Sequence, residues 1–313
     1  MNVTTETMSP AVRRVRAYFA PVNRVAKQAT IFDPAQQGTF ALGTPPAPWI
    51  DLGWITGFTR KSGTKIEPVR AGAPATPQMQ SRSLIDATVA LQFASWGKLQ
   101  MALAAGTQQM NLLNVQSGAA AAGSGGVAVP AVALQSGSTA NVLQLGSAAA
   151  NFAVGETVVV DVDYTQQLGF IGSGVSGAYV KAALTDVDYV RRVSLNVGRI
   201  ASISSGALTL EQPLLAGVPT TAMKVSGVAG FCDREGSTFF QEWSALFVAE
   251  GQQGERVLWH YPRLQSMVSA AESSVASGGG LEDVRQSAAF RALPVQDAVD
   301  GENVVCFRSF VAC

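Results

Sequence analysis

The chain has 313 residues, of which 47% are hydrophobic and only 14% charged, and its 22 basic residues balance its 22 acidic ones. Soluble domains carry about 25% charged residues, so this chain is expected to hide surplus apolar surface against other subunits. A neutral chain has no overall basic field to hold a polyanion, which argues against a dedicated DNA-binding role.

The first forty residues are mixed in character, with Glu6, Arg13, Arg14 and Arg16 near the start and no secretory h-region. No run approaches the ~20 apolar residues of a membrane-spanning helix, so no membrane-spanning segment is expected and the chain reads as cytoplasmic at synthesis. Gly43, Pro45, Pro46 and Pro48 favour a loop or arm between Phe40 and Gly53. Trp54 to Arg60 and Lys65 to Arg70 are β-prone runs around Lys61-Ser62-Gly63, which predicts a hairpin turning there. Ala71 to Pro77 breaks the pattern. Ala87, Val89, Leu91 and Phe93 recur at every second position, as on one face of a half-buried strand. From Trp96 the period changes: Trp96, Leu99 and Leu103 fit one helical face, and Gly106 stands at a C-cap position.

From about Ser117 to Ala150 the chain is dominated by Ala, Gly and Ser, its clearest composition shift, and a domain boundary is placed there. A compact β pattern follows. Val158, Val160, Val162 and Tyr164 alternate with Val159, Asp161 and Asp163, and Val193, Leu195 and Val197 with polar residues. Ile200 to Ile203, the turn Ser204-Ser205-Gly206, and Leu208 with Leu210 complete a hairpin. Short strands at this spacing suggest a small barrel. Beyond Ala216 long strands return. Ser237 to Glu250 and Glu255 to Tyr261 are expected to pair across Gly251 to Gly254, a Ser/Gly-rich link is expected near Ser273 to Gly280, and Ser287 to Val311 reads as a final long hairpin.

Chemical motifs are weak. Gly172, Gly174 and Gly177 spell G-x-G-x-x-G, but Asp186 and Asp188 come too soon after it and the surroundings lack a βαβ pattern, so a loop is the preferred reading. His260 lies in a strand-like run with no G-x-S-x-G elbow to supply a nucleophile, and reads as a packed residue. Asp161 with Asp163 reads as a solvated strand-face pair rather than a calcium loop. Cys232, Cys306 and Cys313 match neither a disulfide framework nor a zinc site. No catalytic residue, cofactor or metal is expected. Arg191-Arg192, Asp233-Arg234-Glu235 and Glu242 stand out as contact groups in a charge-poor chain, where charges fix register more than affinity.

Two stretches, Pro48 to Gly72 continued by Ala87 to Gly106, and Gly230 to Leu264 continued by Phe290 to Phe310, together resemble the major tail protein, or tail tube protein, of long-tailed bacteriophages. They span about half of the chain, and the likeness is one of pattern. The resemblance implies a mainly β fold: a tail-tube β-sandwich formed discontinuously by residues 1–120 and 217–313, with long hairpins and one packed helix. Residues 121–216 are then an inserted small β-barrel-like module on the tube exterior. It also implies self-assembly into stacked, six-membered rings that form a hollow conduit for the genome in the virion tail, assembled in the host cytoplasm. Partners would be further copies and other tail proteins (tape measure, tail terminator, distal tail or baseplate), with DNA passing through unbound. Trp54, Trp96, Asp233, Arg234, Glu235, Phe239, Trp243, Trp259 and Tyr261 are the candidate interface residues. A baseplate ring subunit, a decoration protein and a carbohydrate-binding surface module are the alternatives.

Overall fold

The computed structural model describes residues 14–23, 28–114, 129–161, 196–214, 217–234, 242–251, 254–267, 271–276 and 282–312. Within these residues the fold is mainly β, in large antiparallel sheets. In chain order the first elements are β1 (Arg14–Asn23), β2 (Gln28–Ala29), α1 (Pro34–Gln37), β3 (Ile50–Ala71), β4 (Thr76–Phe93) and α2 (Lys98–Ala105). Next come β5 (Gln108–Leu113), β6 (Val132–Ala133), β7 (Val142–Gln144), a 3-10 turn at Gly146–Asn151, β8 (Thr157–Asp161), β9 (Val197–Ser204), β10 (Ala207–Leu210) and β11 (Lys224–Arg234). The last are β12 (Glu242–Glu250), β13 (Arg256–Ser266), β14 (Ala271–Ala276), β15 (Glu282–Ala292), β16 (Val295–Gln296), β17 (Asn303–Val304) and β18 (Phe307–Val311).

The chain divides into two compact units, Met1–Trp96 with Ala104–Gly106 and Phe240–Cys313, and Gly97–Leu103 with Thr107–Phe239. The second is wider than 121–216, because β11 pairs with β5 on one side and β8 on the other and so draws both into the same sheet.

In the first unit the strand order is β14-β15-β4-β3-β1-β12-β13-β18. The end of β15 also pairs with β13, Leu264 opposite Ala292 and Ser266 opposite Phe290. Hydrogen bonding therefore runs in a circuit through β4, β3, β1, β12, β13, β15 and back to β4. Strands buried on both faces read as continuous apolar runs, and β12 is of this kind, buried from Glu242 to Ala249. One face of β1 and β12 carries Phe19, Phe247 and Trp243, with Phe290 of β15 5.6 Å from the Phe19 ring. The other carries Tyr18, Ala20, Leu246 and Val248, covered by Phe32, Phe40, Leu42 and Trp49 from the segment between β2 and β3. The proline-rich segment thus packs down as a cover. Asp33 caps α1 within it, accepting from the Ala35 and Gln36 amides.

The alternation Ala87, Val89, Leu91, Phe93 is buried as the spacing predicts, and β12 pairs with β13 across 251–255. Three expectations are overturned. The first hairpin turns at 72–75, not at Lys61-Ser62-Gly63, because Lys61 to Lys65 lie in continuous register with Thr88 to Leu84. The supposed link near Ser273 includes β14, paired with β15. The end of the chain forms no long hairpin: β16 and β17 pair over two residues each, and β18 joins β13 instead.

In the second unit the order is β5-β11-β8-β9-β10-β7, with β6 on β11. The Gln135 amide donates to the Gln144 carbonyl at 2.8 Å, which links the end of β6 to β7. Leu134, Leu143, Val158, Val160, Ile200, Leu208, Leu210, Met223 and Val225 form its core. β9 and β10 meet in the expected turn, with positive φ at both Ser205 (50°) and Gly206 (79°), the signature of a two-residue type I′ loop. Val162 to Leu195 lie outside the described residues, and with them the alternation beyond Asp161, the G-x-G-x-x-G motif, Asp163, Asp186, Asp188 and Arg191-Arg192.

Candidate assembly surface

Strands of ordinary domains run about 5–6 residues, whereas β3 and β4 contain 22 and 18. β3 leaves β1 after Ile55 and stays paired with β4, which keeps β15 as far as Thr88; from Ser62 to the turn and back to Ala87 the two strands leave the sheet as a ribbon. Every residue from Lys61 to Asp86 is exposed. At about 3.3 Å per residue the ribbon reaches roughly 35 Å if straight. Its root is anchored: Gly57, with φ of 60°, opens a bulge at which β3 gains one residue over β4. Phe58 then turns inward, 4.8 Å from the Phe247 ring and 5.3 Å from Trp259. Beside it the Arg60 Nε donates to the Tyr261 hydroxyl at 3.0 Å, and burial pushes the Tyr261 phenol up to about 12.

The arm exposes large apolar side chains. Ile66, Val69, Met79, Leu84 and Ile85 are each between 43% and 62% accessible. Basic residues lie among them: Arg60, Lys61, Lys65, Arg70 and Arg82 against Glu67 and Asp86, a net +3 for residues 57–86. A lone two-stranded ribbon is at best marginally stable in water, and exposed apolar side chains grouped on one element mark an interaction surface. This surface was missed from the sequence, because the turn signal at Gly72 to Pro77 read as a break between elements rather than the tip of one hairpin.

Register gives the arm a direction. Ser287 of β15 faces Gln92 of β4, while Glu282 to Gln286 pair with β14 only. The β14–β15 hairpin therefore leaves the sheet past the end of β4, at the end away from the arm.

The candidate interface residues fall into distinct places. Trp243 and Tyr261 are 1% exposed and belong to the subunit's own core; both lie on strand faces turned to Phe247 and Phe19, which aromatic content alone did not reveal. Trp259 is half-buried against Phe58 at the arm root. Trp54 is half-buried and lies 5.1 Å from the Arg16 guanidinium, itself paired with Asp51. Trp96 is exposed and precedes α2 rather than sharing its buried face, which Leu99, Ala102 and Leu103 supply. Asp233 and Arg234 sit at the end of β11, opposite Gln109 and Gln108. Glu235 and Phe239 lie outside the described residues.

Asp161 is buried, not solvated, because β8 is covered on both faces. His260 is packed as expected: its Nδ1 is 3.2 Å from the Ala245 carbonyl and its Nε2 accepts from the Phe32 amide at 3.3 Å. The ring stacks on Phe307 and meets Trp49 edge-on. Burial lowers its pKa to about 4, so it is neutral at pH 7. Among the described residues no group of three His, Cys, Asp or Glu could hold a metal ion, and no helix is long and apolar enough to cross a membrane. No protein-family model matches the chain, and no curated protein matches it significantly.

Proposed function

We propose that this protein is a structural subunit that self-assembles into stacked rings forming a hollow, tail-tube-like conduit. The observation that carries the reading is the 57–86 arm, an exposed ribbon rooted in a circuit of paired strands and projecting from one end of it. A strand circuit whose two ends differ, with the arm at one and the β14–β15 hairpin at the other, suits head-to-tail contacts, which repeat along an axis instead of closing on themselves. The resemblance to phage major tail proteins supplies the form of the assembly: rings of six, a lumen through which genome passes, and other tail proteins at the ends. The second unit, with β6 and Gln135 leading from β7 back to β11, is read as a small barrel.

Magnitudes favour a many-copy assembly over a simple pair. Full burial of a large apolar side chain is worth about 1.5–3 kcal/mol, so five that are about half exposed offer roughly 4–8 kcal/mol. Association costs about 4–15 kcal/mol in lost freedom. One arm contact therefore barely holds two copies together, while a ring of them, each copy fixed by several neighbours, assembles cooperatively.

Negative-stain electron microscopy of the purified chain over a concentration series tests this. Hollow tubes with a regular axial repeat, appearing above a threshold concentration, are expected. Closed single rings that do not stack would favour a baseplate-ring role and sink the tube.

A further inference from the structure

Residues directly opposed on antiparallel strands share a face, and faces alternate along each strand. Along β3, Thr64, Ile66 and Pro68 with their partners Ile85, Arg82 and Gln80 form one face of the arm. Lys65, Glu67 and Val69 with Leu84, Ser81 and Met79 form the other. The exposed apolar side chains divide between them, Ile66 and Ile85 on the first and Leu84, Val69 and Met79 on the second. A ribbon that lies flat on one surface needs a single apolar face. This one has two.

We infer that the arm is inserted between two further copies of this chain, one covering each face. The inference rests on the self-assembly reading and adds the seat of the arm to it. The occupant is argued from charge. The chain is neutral and residues 57–86 carry +3, so the remainder carries −3. Part of that balance is an acidic turn, residues 295–302, which holds half-buried Asp297 and exposed Asp300 and Glu302 and no Lys or Arg. A second copy offers both counter-charge and apolar surface. A nucleic acid offers phosphate charge but leaves the two apolar faces wet.

The test uses the full chain, with Ile66→Ser/Ile85→Ser altering one face and Val69→Ser/Met79→Ser the other. All four positions are solvent-exposed, and circular dichroism checks that each variant folds. Sedimentation velocity at matched concentrations reads the assembled fraction, and a photo-crosslinker at position 66 or 79, in mixtures of heavy and light chains, reads what each face touches. Each variant is expected to lower the assembled fraction at least tenfold, with heavy–light crosslinks from 66 and 79 landing on different stretches of the chain. Loss from one variant alone would mean an arm lying flat and overturn the two-sided seat. Two variants that assemble like wild type would overturn it while leaving the tube reading intact. Wild-type protein that forms unstacked rings would overturn the tube reading, with the two variants still deciding the seat. Wild-type protein monomeric at every concentration would overturn both.

Discussion

The Phe32 backbone amide donates to Nε2 of His260 across 228 residues of chain, at 3.3 Å, and so ties the segment before α1 to the middle of β13. The contact fixes the tautomer. Nε2 must keep its lone pair, so Nδ1 carries the proton and donates it to the Ala245 carbonyl. Protonation would set an N–H against the Phe32 N–H inside a pocket walled by Trp49 and Phe307.

A pH dependence of stability follows. Burial lowers the His260 pKa from 6.5 to about 4, so between these values the unfolded chain binds a proton that the folded chain refuses. Stability from this group is complete above pH 6.5, falls as pH drops through that window, and levels off below about 4. The full span is roughly 3 kcal/mol. Urea denaturation at pH 7 and pH 5 measures it, and His260→Phe should flatten the slope between them while lowering stability at both. An equal slope in that variant would assign the effect to other groups.

Arg263 sits over the carboxylate of Glu242, whose side chain is almost fully buried; the Gln265 amide holds the second carboxylate oxygen at 3.2 Å. Removing the cation alone strands a buried charge, at a cost of about 3–5 kcal/mol. Arg263→Met should therefore be strongly destabilising, whereas Arg263→Met with Glu242→Leu should recover most of the loss. Chemical denaturation of both variants checks this. Equal stability of the single and double variants would mean that Glu242 is not the group made unstable.

How far the sequence revealed this fold depended on where the deciding interaction lies. The alternation from Ala87 to Phe93 and the Ser204-Ser205-Gly206 turn were legible because each is fixed by a period or a local backbone requirement. The arm was not, since both a local run ending at Arg60 and a ribbon continuing to Ala71 satisfy β propensity. Only pairing with β4, a non-local fact, separates them. The partnership of β18 with β13 escaped for the same reason. Aromatic content marked Trp243 and Trp54 equally, yet one is core and the other stacks beside a cation at half burial, because face and neighbour are set by register.

The Ser205-Gly206 turn gives a paired prediction. A Cβ on Gly206 would lie 2.9 Å from the Gly146 Cα and 3.0 Å from its carbonyl oxygen, at a φ of 79°. Gly206→Ala should cost about 1–3 kcal/mol from strain alone. Ser205 already tolerates φ of 50°, so Ser205→Asn should stabilise by up to ~1 kcal/mol, Asn-Gly being the preferred type I′ pair. Thermal melts of the two variants should move in opposite directions, and a common direction would refute the turn assignment.

Arg16 and Trp54 supply the last prediction. The Arg16 Nε donates to Asp51 Oδ1 at 2.9 Å while its Nη2 engages Oδ2, and Asp51 Oδ1 also accepts from the Gly53 amide at 2.8 Å. This bidentate pair holds the guanidinium against the indole of Trp54 on the neighbouring strand. A lysine cannot form the fork and the stack together. Arg16→Lys should therefore cost about 1–2 kcal/mol, more than the 0–1 kcal/mol of an ordinary surface pair. Trp54→Leu should remove part of the same energy, so the double variant should lose less than the sum of the singles. If Trp54 instead worked only between subunits, Trp54→Leu would leave the denaturation midpoint of the dilute protein unchanged, and the two losses would add.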